Sequence, residues 1–544
     1  MTIIKGEVAM RRWNGWGDSA TTMELPAQGA DFLQSLVGRG QVLPDASLDE
    51  VMAQVPPSRL PAHPLVSVDA ETRVRHARGQ SLPDWLAMRS GDFGVFPDGV
   101  AFPESAADIR ELLAWAATEN IVVIAYGGGT SVAGHINPQA DTRPVLTVSL
   151  ARMNQLLDLD EDSLLATFGP GANGPQVENQ LRARGYTLGH FPQSWELSTL
   201  GGWVASRSSG QQSLRYGRIE QLFAGGEVET FAGTWSLPCY PASAAGPDLR
   251  EWVMGSEGRF GIISQVKVRV TRLPDDERFY GVFLPSWQQA QEAMRELSQA
   301  RIPLSMLRLS NAVETTTQLA LAGHPRMIGV LERYLTLRGC SEGKCLLTFG
   351  VTGDRRQNAL SLRQAKRRLK KHGAVFTGRF LGNKWQQGRF RFPYLREALW
   401  KAGYVVDTLE TATQWGNVKP LMDKVEQSLR DGLAEQGQQV HVFSHLSHVY
   451  GQGSSIYTTY VFACGKDYEQ TLANWRRLKT RASQTIADHQ GTISHQHGVG
   501  RDHAPWLAQE KGELGMAAIQ AVVERLDPQQ QLAPGVLLMD KRHD

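Results

Sequence analysis

Residues 119–137 read ENIVVIAYGGGTSVAGHIN, and the fold turns on how this stretch is read. Ile121, Val122, Val123 and Ile124 are β-branched, which suits a buried strand. Gly127, Gly128 and Gly129 follow almost at once. Lacking Cβ atoms, they reach backbone angles closed to other residues, so consecutive N–H groups can converge on one anion. Thr130 and Ser131 add two hydroxyls. The stretch is a candidate pyrophosphate cradle. For a glycine triplet taken alone, the alternative is a tight strand-to-loop turn that binds nothing.

Upstream, residues 97–103 (PDGVAFP) read as a short strand, and ESAADIRELLAWAATEN as an amphipathic helix with Ser105 near its start. Strand, helix, strand and glycine loop make an α/β unit, but without the G-x-G-x-x-G that opens a helix in the dinucleotide-binding fold. Downstream, PVLTVSLARMN and LLATFGPGA read as strands and GPQVENQLRARGYTLGH as a helix. Two more small-residue regions follow. Residues 190–218 are too polar for core and too rich in small residues for a regular element, and a loop that long is usually functional. In residues 252–264, Gly255, Gly258 and Gly261 separate a helix from the strand pattern IISQVKVRV. Three such regions could wrap one extended ligand.

The chain has 544 residues, enough for two to four folding units. With 41% hydrophobic and 21% charged residues it reads as an ordinary soluble globular protein. A formal net charge of +2 argues against nucleic acid as a partner. The basic run RQAKRRLKK (363–371) has the spacing of a solvated helix face, which could also rest on anionic lipid. Cys239, Cys340, Cys345 and Cys464 are too few and scattered for a disulfide framework, which points to a reducing compartment. MTIIKGEVAMRR carries no secretory pattern, and no apolar run approaches the roughly 20 residues that span a bilayer. Ser47 is a candidate N-cap, residues 72–89 a helix broken near Gly79, and the tryptophans of RWNGWG (12–17) anchors of the terminus. From about Pro274, strands (YGVFLP, CLLTFGVTG, IYTTYVFA) alternate with long charged helices, as in a second α/β domain on an antiparallel sheet.

His495 and His497 are two apart, and on a strand they would project from one face, with Gly498 and Gly500 letting the backbone approach a ligand. His445, His448 and His503 show no ligand-type spacing to them, so no metal is expected. Acid–base use remains, against the alternative of two surface histidines near a turn. Tyr457 shares a strand face with Thr459 and Val461, where a packing role is the alternative. Arg308 and Arg396 lie in apolar stretches and must each find a carboxylate partner or an anion. If both face one cavity, a phosphate or carboxylate substrate is the economical explanation.

IAYGGGTSVAG, PQSWELSTLGGWVASRSSGQQSLRYGRIEQL and WVMGSEGRFGIIS resemble the three flavin-contacting segments of the FAD-dependent vanillyl-alcohol-oxidase (PCMH-type) superfamily. RWNGWG, FRFPYLREAL, SHVYGQGSSIYTTYVF and ISHQHGVGRDHAPWL are similar to its alkyldihydroxyacetonephosphate synthase branch. The resemblance implies an α+β fold with a two-subdomain PCMH-type FAD-binding domain, an antiparallel-sheet cap and a helical N-terminal extension. The expected boundaries are 1–93 for the extension, 94–273 for the flavin domain, 274–470 for the cap and 471–544 for a segment closing the site. It further implies noncovalent FAD, since Thr130 holds the place where flavin-tethering relatives carry histidine and His135 lies several residues on.

By the same resemblance, cofactor contacts fall to Tyr126, Gly127, Gly128, Gly129, Thr130 and Ser131, then to Ser194, Thr199, Gly201, Gly202, Ser206 and Ser209, then to Glu257, Gly258 and Ile263. Tyr457, His497, His495 and Arg396 match catalytic positions, and Arg308, Arg396 and Thr408 substrate positions. Gln496 departs from the family's histidine tripeptide and cannot act as an acid or base near neutral pH. The implied reaction exchanges the acyl group of acyl-dihydroxyacetone phosphate for a fatty alcohol through a flavin N5 adduct, in ether lipid synthesis. The alternative is an FAD-dependent dehydrogenase or oxidase of a 2-hydroxy acid or polyol phosphate. The remaining expectations are a small-molecule or lipid-phosphate substrate, a homodimer, and a cytoplasmic protein with peripheral contact at the inner membrane face.

Overall fold

The computed structural model describes residues 10–321 and 325–539; residues 1–9, and with them most of the stretch read for a leader, lie outside the described residues. The β-branched run forms the strand Val122–Tyr126, every residue of it buried except Ala125. It pairs in parallel with Val145–Ser149, which pairs in parallel with Gly99–Ala101, and Val66–Ser67 closes this four-stranded sheet. The crossover between parallel strands is the helix Ala106–Glu119, whose N-terminus is capped by Ser105 in a capping box with Asp108. It buries Ile109, Leu112, Leu113 and Ala116 at the 3–4 spacing of one helix face.

A five-stranded antiparallel sheet lies next in the chain, in the order Leu156–Asp160, Leu165–Phe168, Ile262–Arg269, Phe223–Thr230, Gly233–Leu237. The 190–218 region, expected to hold no regular element, carries two short helices, Leu200–Ser206 and Ser213–Tyr216. Leu200, Trp203 and Val204 are buried against this sheet, so tertiary packing stabilises a helix whose glycines disfavour it locally.

The third body is a seven-stranded antiparallel sheet, ordered Val375–Phe376, Asp276–Leu284, Cys345–Gly353, Met306–Ser310, His441–Leu446, Gly453–Ala463, Tyr404–Gln414. Helices Trp287–Gln299, Arg355–Lys371, Trp415–Arg430 and Tyr468–Asp488 supply apolar faces to its core. The basic run 363–371 ends the second of these with Arg363, Arg367, Lys370 and Lys371 exposed, the solvated face expected of it.

Both chain ends return to the first sheet. Leu532 bridges Val123, the Gln531 side chain caps the carbonyls of Ala116 and Ile121, and Arg259 pairs with Asp527 at 3.0 Å in the interior. Arg11 donates to the Gly128 carbonyl at 2.6 Å, and Trp16 is buried, as an anchor should be. Helices Ala70–Arg75 and Leu82–Ser90 flank the break expected near Gly79, and Ser47 caps Leu48–Met52. No helix among the described residues is long and apolar enough to cross a membrane.

Candidate active site

A cleft of about 360 Å³ runs between the glycine loops and the seven-stranded sheet. One wall is backbone. A Cβ on Gly127 would overlap the Thr199 side chain, one on Gly128 the Leu197 carbonyl, and one on Gly129, where φ is +67°, the Tyr126 hydroxyl. The loop therefore packs tightly on the 197–199 segment, and only its other face is free for a ligand. Thr199 precedes the Leu200–Ser206 helix without capping it, and its buried hydroxyl has no partner within the protein. This donor set, glycine backbone with unpaired hydroxyls, fits the diphosphate of a dinucleotide. Tyr126 to Ser131, Ser194, Thr199, Gly201, Gly202, Ser206, Glu257, Gly258 and Ile263 all line the cleft. Ser209 does not: its hydroxyl turns to Nδ1 of His448 at 3.1 Å, and Ser208 holds the wall instead.

The opposite wall is made of side chains placed by strand register. Tyr457 stands opposite Glu410 on one neighbouring strand and His445 on the other. Tyr457, Thr459 and Val461 face the cleft together, the alternation read from the sequence, joined by Val406 and Thr408. The Tyr457 phenol donates to Thr408 Oγ1 at 3.1 Å, stacks on His445 at 4.8 Å between ring centroids, and meets the edge of His497 at 5.8 Å. Burial raises its pKa well above the ordinary phenol value, so it is a proton donor near neutral pH. Burial lowers that of His497, which leaves a neutral imidazole able to accept a proton.

The two histidines part company. Residues 493–499 form no strand, so the same-face expectation fails: Gln496 and His497 line the cleft, and His495 turns away. His495 Nδ1 lies 3.2 Å from Glu410 and Nε2 bonds the Tyr450 hydroxyl at 2.6 Å. Burial alone would raise the pKa of Glu410, but His495 and the other imidazoles nearby hold it low. Glu410, His448 and His495 bring ligand-type atoms within 4.8 Å of one another, the place where a cation would sit. Tyr450 hydrogen-bonds His495 and Ser209 hydrogen-bonds His448, while His495 Nδ1 meets Glu410 as an ion pair without regular hydrogen-bond geometry.

The arginines differ as sharply. Arg308 is tied to Glu314 at 2.7 Å, Ser310 at 2.8 Å and His445 at 3.0 Å, behind the Tyr457 wall and outside the cleft lining. Arg396 lines the cleft, donates Nη1 to the Gln80 carbonyl at 2.7 Å and lies over the Trp85 ring at 4.6 Å, while its buried Nη2 has no hydrogen-bond partner. Burial pushes its pKa down to about 10, so it stays charged near neutral pH. A half-satisfied buried guanidinium facing a cavity is a site for an anion. Glu410 and Gln80 were not picked out from the sequence, and His445 and His135 were weighed there only as a metal ligand and a flavin tether; only the alternation of TLETA, once paired with that of Tyr457, would have pointed to Glu410.

The cleft also has an apolar group in its lining, Leu33, Leu321, Leu395, Leu399, Phe443 and Val461, interrupted by Thr317 and His441.

Residues 97–236 match the family described as FAD binding domain, and residues 273–537 the family described as FAD linked oxidases, C-terminal domain. The chain is 29% identical to the alkyldihydroxyacetonephosphate synthase of Trypanosoma brucei brucei, over 97% of this chain and 92% of that one. It is likewise 29% identical to that of Dictyostelium discoideum, over 97% and 93%. A solved alkyldihydroxyacetonephosphate synthase structure superposes with a TM-score of 0.82 at 25% identity, covering 97% of this chain and all of that one.

Proposed function

We propose that this chain, an alkyldihydroxyacetonephosphate-synthase-like member of the FAD-binding vanillyl-alcohol-oxidase-type flavoproteins, replaces the acyl group of acyl-dihydroxyacetone phosphate with a fatty alcohol, releasing the fatty acid. The single observation carrying this reading is that one cleft holds the glycine loops, Arg396 with Tyr457 and His497, and an apolar group. A cofactor diphosphate, a reacting carbon beside a phosphate, and an aliphatic chain need those three environments. Bound FAD supplies N5, a centre that can bond to carbon and release it, which lets an acyloxy group give way to an alkoxy group without net oxidation.

In this reading Arg396 holds the phosphate. His497 takes a proton from C1 of the substrate and returns one there after the alcohol oxygen has replaced the carboxylate. Tyr457 hydrogen-bonds the departing carboxylate, its hydroxyl aimed by Thr408 and its ring by His445. Arg308 acts through Glu314 and His445 on the orientation of Tyr457. Residues 94–273 are the flavin domain, 274–470 the cap, 471–544 the closing segment and 1–93 the N-terminal extension. The test is incubation with acyl-dihydroxyacetone phosphate and a labelled long-chain alcohol. Alkali-stable labelled ether should form in step with free fatty acid, and flavin absorbance should return to its starting value once the substrate is consumed. Gln496 in the cleft wall supports the second reading, a dehydrogenase. Anaerobic bleaching of the flavin by a 2-hydroxy acid, with no ether formed, would favour it and sink the exchange reading.

Peripheral membrane contact belongs to the same proposal. On the helix Pro325–Leu337, which begins four residues after Leu321 of the apolar group, Met327, Val330, Tyr334 and Leu337 form one exposed stripe beside exposed Arg326, Arg333 and Arg338. An apolar stripe with flanking arginines suits an anionic lipid surface. Val330→Ser with Leu337→Ser should abolish co-sedimentation with anionic vesicles. If it leaves that intact but dissociates a dimer in sedimentation velocity, the stripe is a subunit contact.

A further inference from the structure

Ser131 ends the glycine loop, and its hydroxyl is engaged by Nδ1 of His135, four residues on. The other ring nitrogen of His135 lies 3.2 Å from Oε1 of Glu257, in the third small-residue region. Both side chains are buried in the cleft wall. Glu257 is committed in a second direction. Its carboxylate accepts the backbone N–H of Val499 at 2.5 Å and of Gly500 at 2.7 Å, two and three residues beyond His497. The turn is stitched to the loop again where Arg501 N–H donates to the Ala133 carbonyl at 2.8 Å. Gly498, at φ +81°, admits this packing: a Cβ there would fall 2.6 Å from Glu257 Oε1.

The roles follow from donor counting. A carboxylate that takes two backbone N–H groups is an acceptor only; His135 Nε2 meets it at 3.2 Å as an ion pair without regular hydrogen-bond geometry, which calls for the protonated ring. Burial on its own would lower the pKa of His135, but the Glu257 carboxylate, and Asp502 after it, outweigh burial and the opposing Arg501, and it is raised. An imidazolium donates at both nitrogens. Ser131 Oγ then accepts from Nδ1, and its own proton is left for an anion in the loop.

We propose that His135 and Glu257 form a clasp joining the diphosphate loop to the turn that carries His497, so that cofactor occupancy and the placement of His497 are coupled. An anion in the loop holds Ser131, Ser131 and Glu257 hold His135, and Glu257 holds the backbone that follows His497. His135 is a positioning residue for both. This rests on the assignment of the FAD diphosphate to Gly127–Ser131.

The test titrates wild-type, His135→Ala, His135→Gln and Glu257→Gln apoproteins with FAD by flavin fluorescence, and follows amide hydrogen exchange of residues 497–503 at saturating FAD. His135→Ala should raise the Kd for FAD about 10- to 100-fold, the worth of one charge-assisted hydrogen bond. His135→Gln, which keeps a donor, should raise it less. At saturation, residues 497–503 of His135→Ala should exchange faster than in wild type while the glycine loop is protected equally. A Kd within about twofold of wild type, or wild-type protection of 497–503, overturns the clasp. If wild type binds no FAD, or Gly128→Ala still binds it tightly, the diphosphate assignment falls instead. Should His135→Ala not fold, His135→Gln and Glu257→Gln carry the same two readouts.

Discussion

The two walls of the cleft are built on opposite plans. The glycine-loop wall is backbone: Gly127, Gly128 and Gly129 press on residues 197–199, and recognition falls to N–H groups and short hydroxyls. The sheet wall is side chain: Tyr457 and Thr408 line it, with His445 and Glu410 beside Tyr457 and outside the lining, because three neighbouring strands hold one register. A backbone wall tolerates almost no added atom, yet asks little of long-range order. A side-chain wall tolerates polar changes without collapse but depends on pairing between residues about 50 positions apart. Damage to the first should therefore remove the cofactor, and damage to the second should remove the chemistry while the cofactor stays.

The largest expected effect tests the backbone wall. Gly128→Ala puts a methyl against the Leu197 carbonyl, and the purified protein should carry no flavin absorbance and no activity. A yellow, active Gly128→Ala protein would break the comparison at its base. Tyr457→Phe tests the other wall. Turnover should fall by about 10²–10³, the usual worth of one donor aimed at developing negative charge, with FAD content unchanged. Loss of flavin together with activity would mean that the walls are not separable.

The smallest effect sharpens the account of what supports the sheet wall. Burial alone would raise the pKa of Glu314, but Arg308 and then His445 hold it below the ordinary 4.5. A carboxyl with a lowered folded-state pKa contributes stability that is complete above the ordinary value and is lost as pH falls below it. Denaturant midpoints should drop on acidification below about pH 5. Glu314→Gln should flatten that drop and cost about 1–3 kcal/mol at neutral pH by leaving half-buried Arg308 without its carboxylate. An unchanged acid limb would show that this pair does not brace Tyr457.

Legibility in the sequence divides along the same line as the walls. The glycine loops, Ser105 and Ser47 as caps, the break near Gly79 and the alternation of Tyr457, Thr459 and Val461 could all be read, because each is a local requirement of backbone geometry or strand period. Arg308 and Arg396 could not be told apart. Each is an arginine in an apolar stretch, and only the register beside His445 and the position of the 392–401 helix determine that one meets Glu314 while the other faces a cavity. His495 and His497 were misjudged together, since the spacing argument assumed a strand where the chain makes none.

By itself, then, the order of residues determined the small-residue loops, the strand and helix periods and the α+β class, since these follow from what each few residues can do with their own backbone. Only the tertiary structure decided which polar side chains share the cleft. Those positions come from separate strands and loops, and their meeting depends on sheet register and packing that no short stretch encodes.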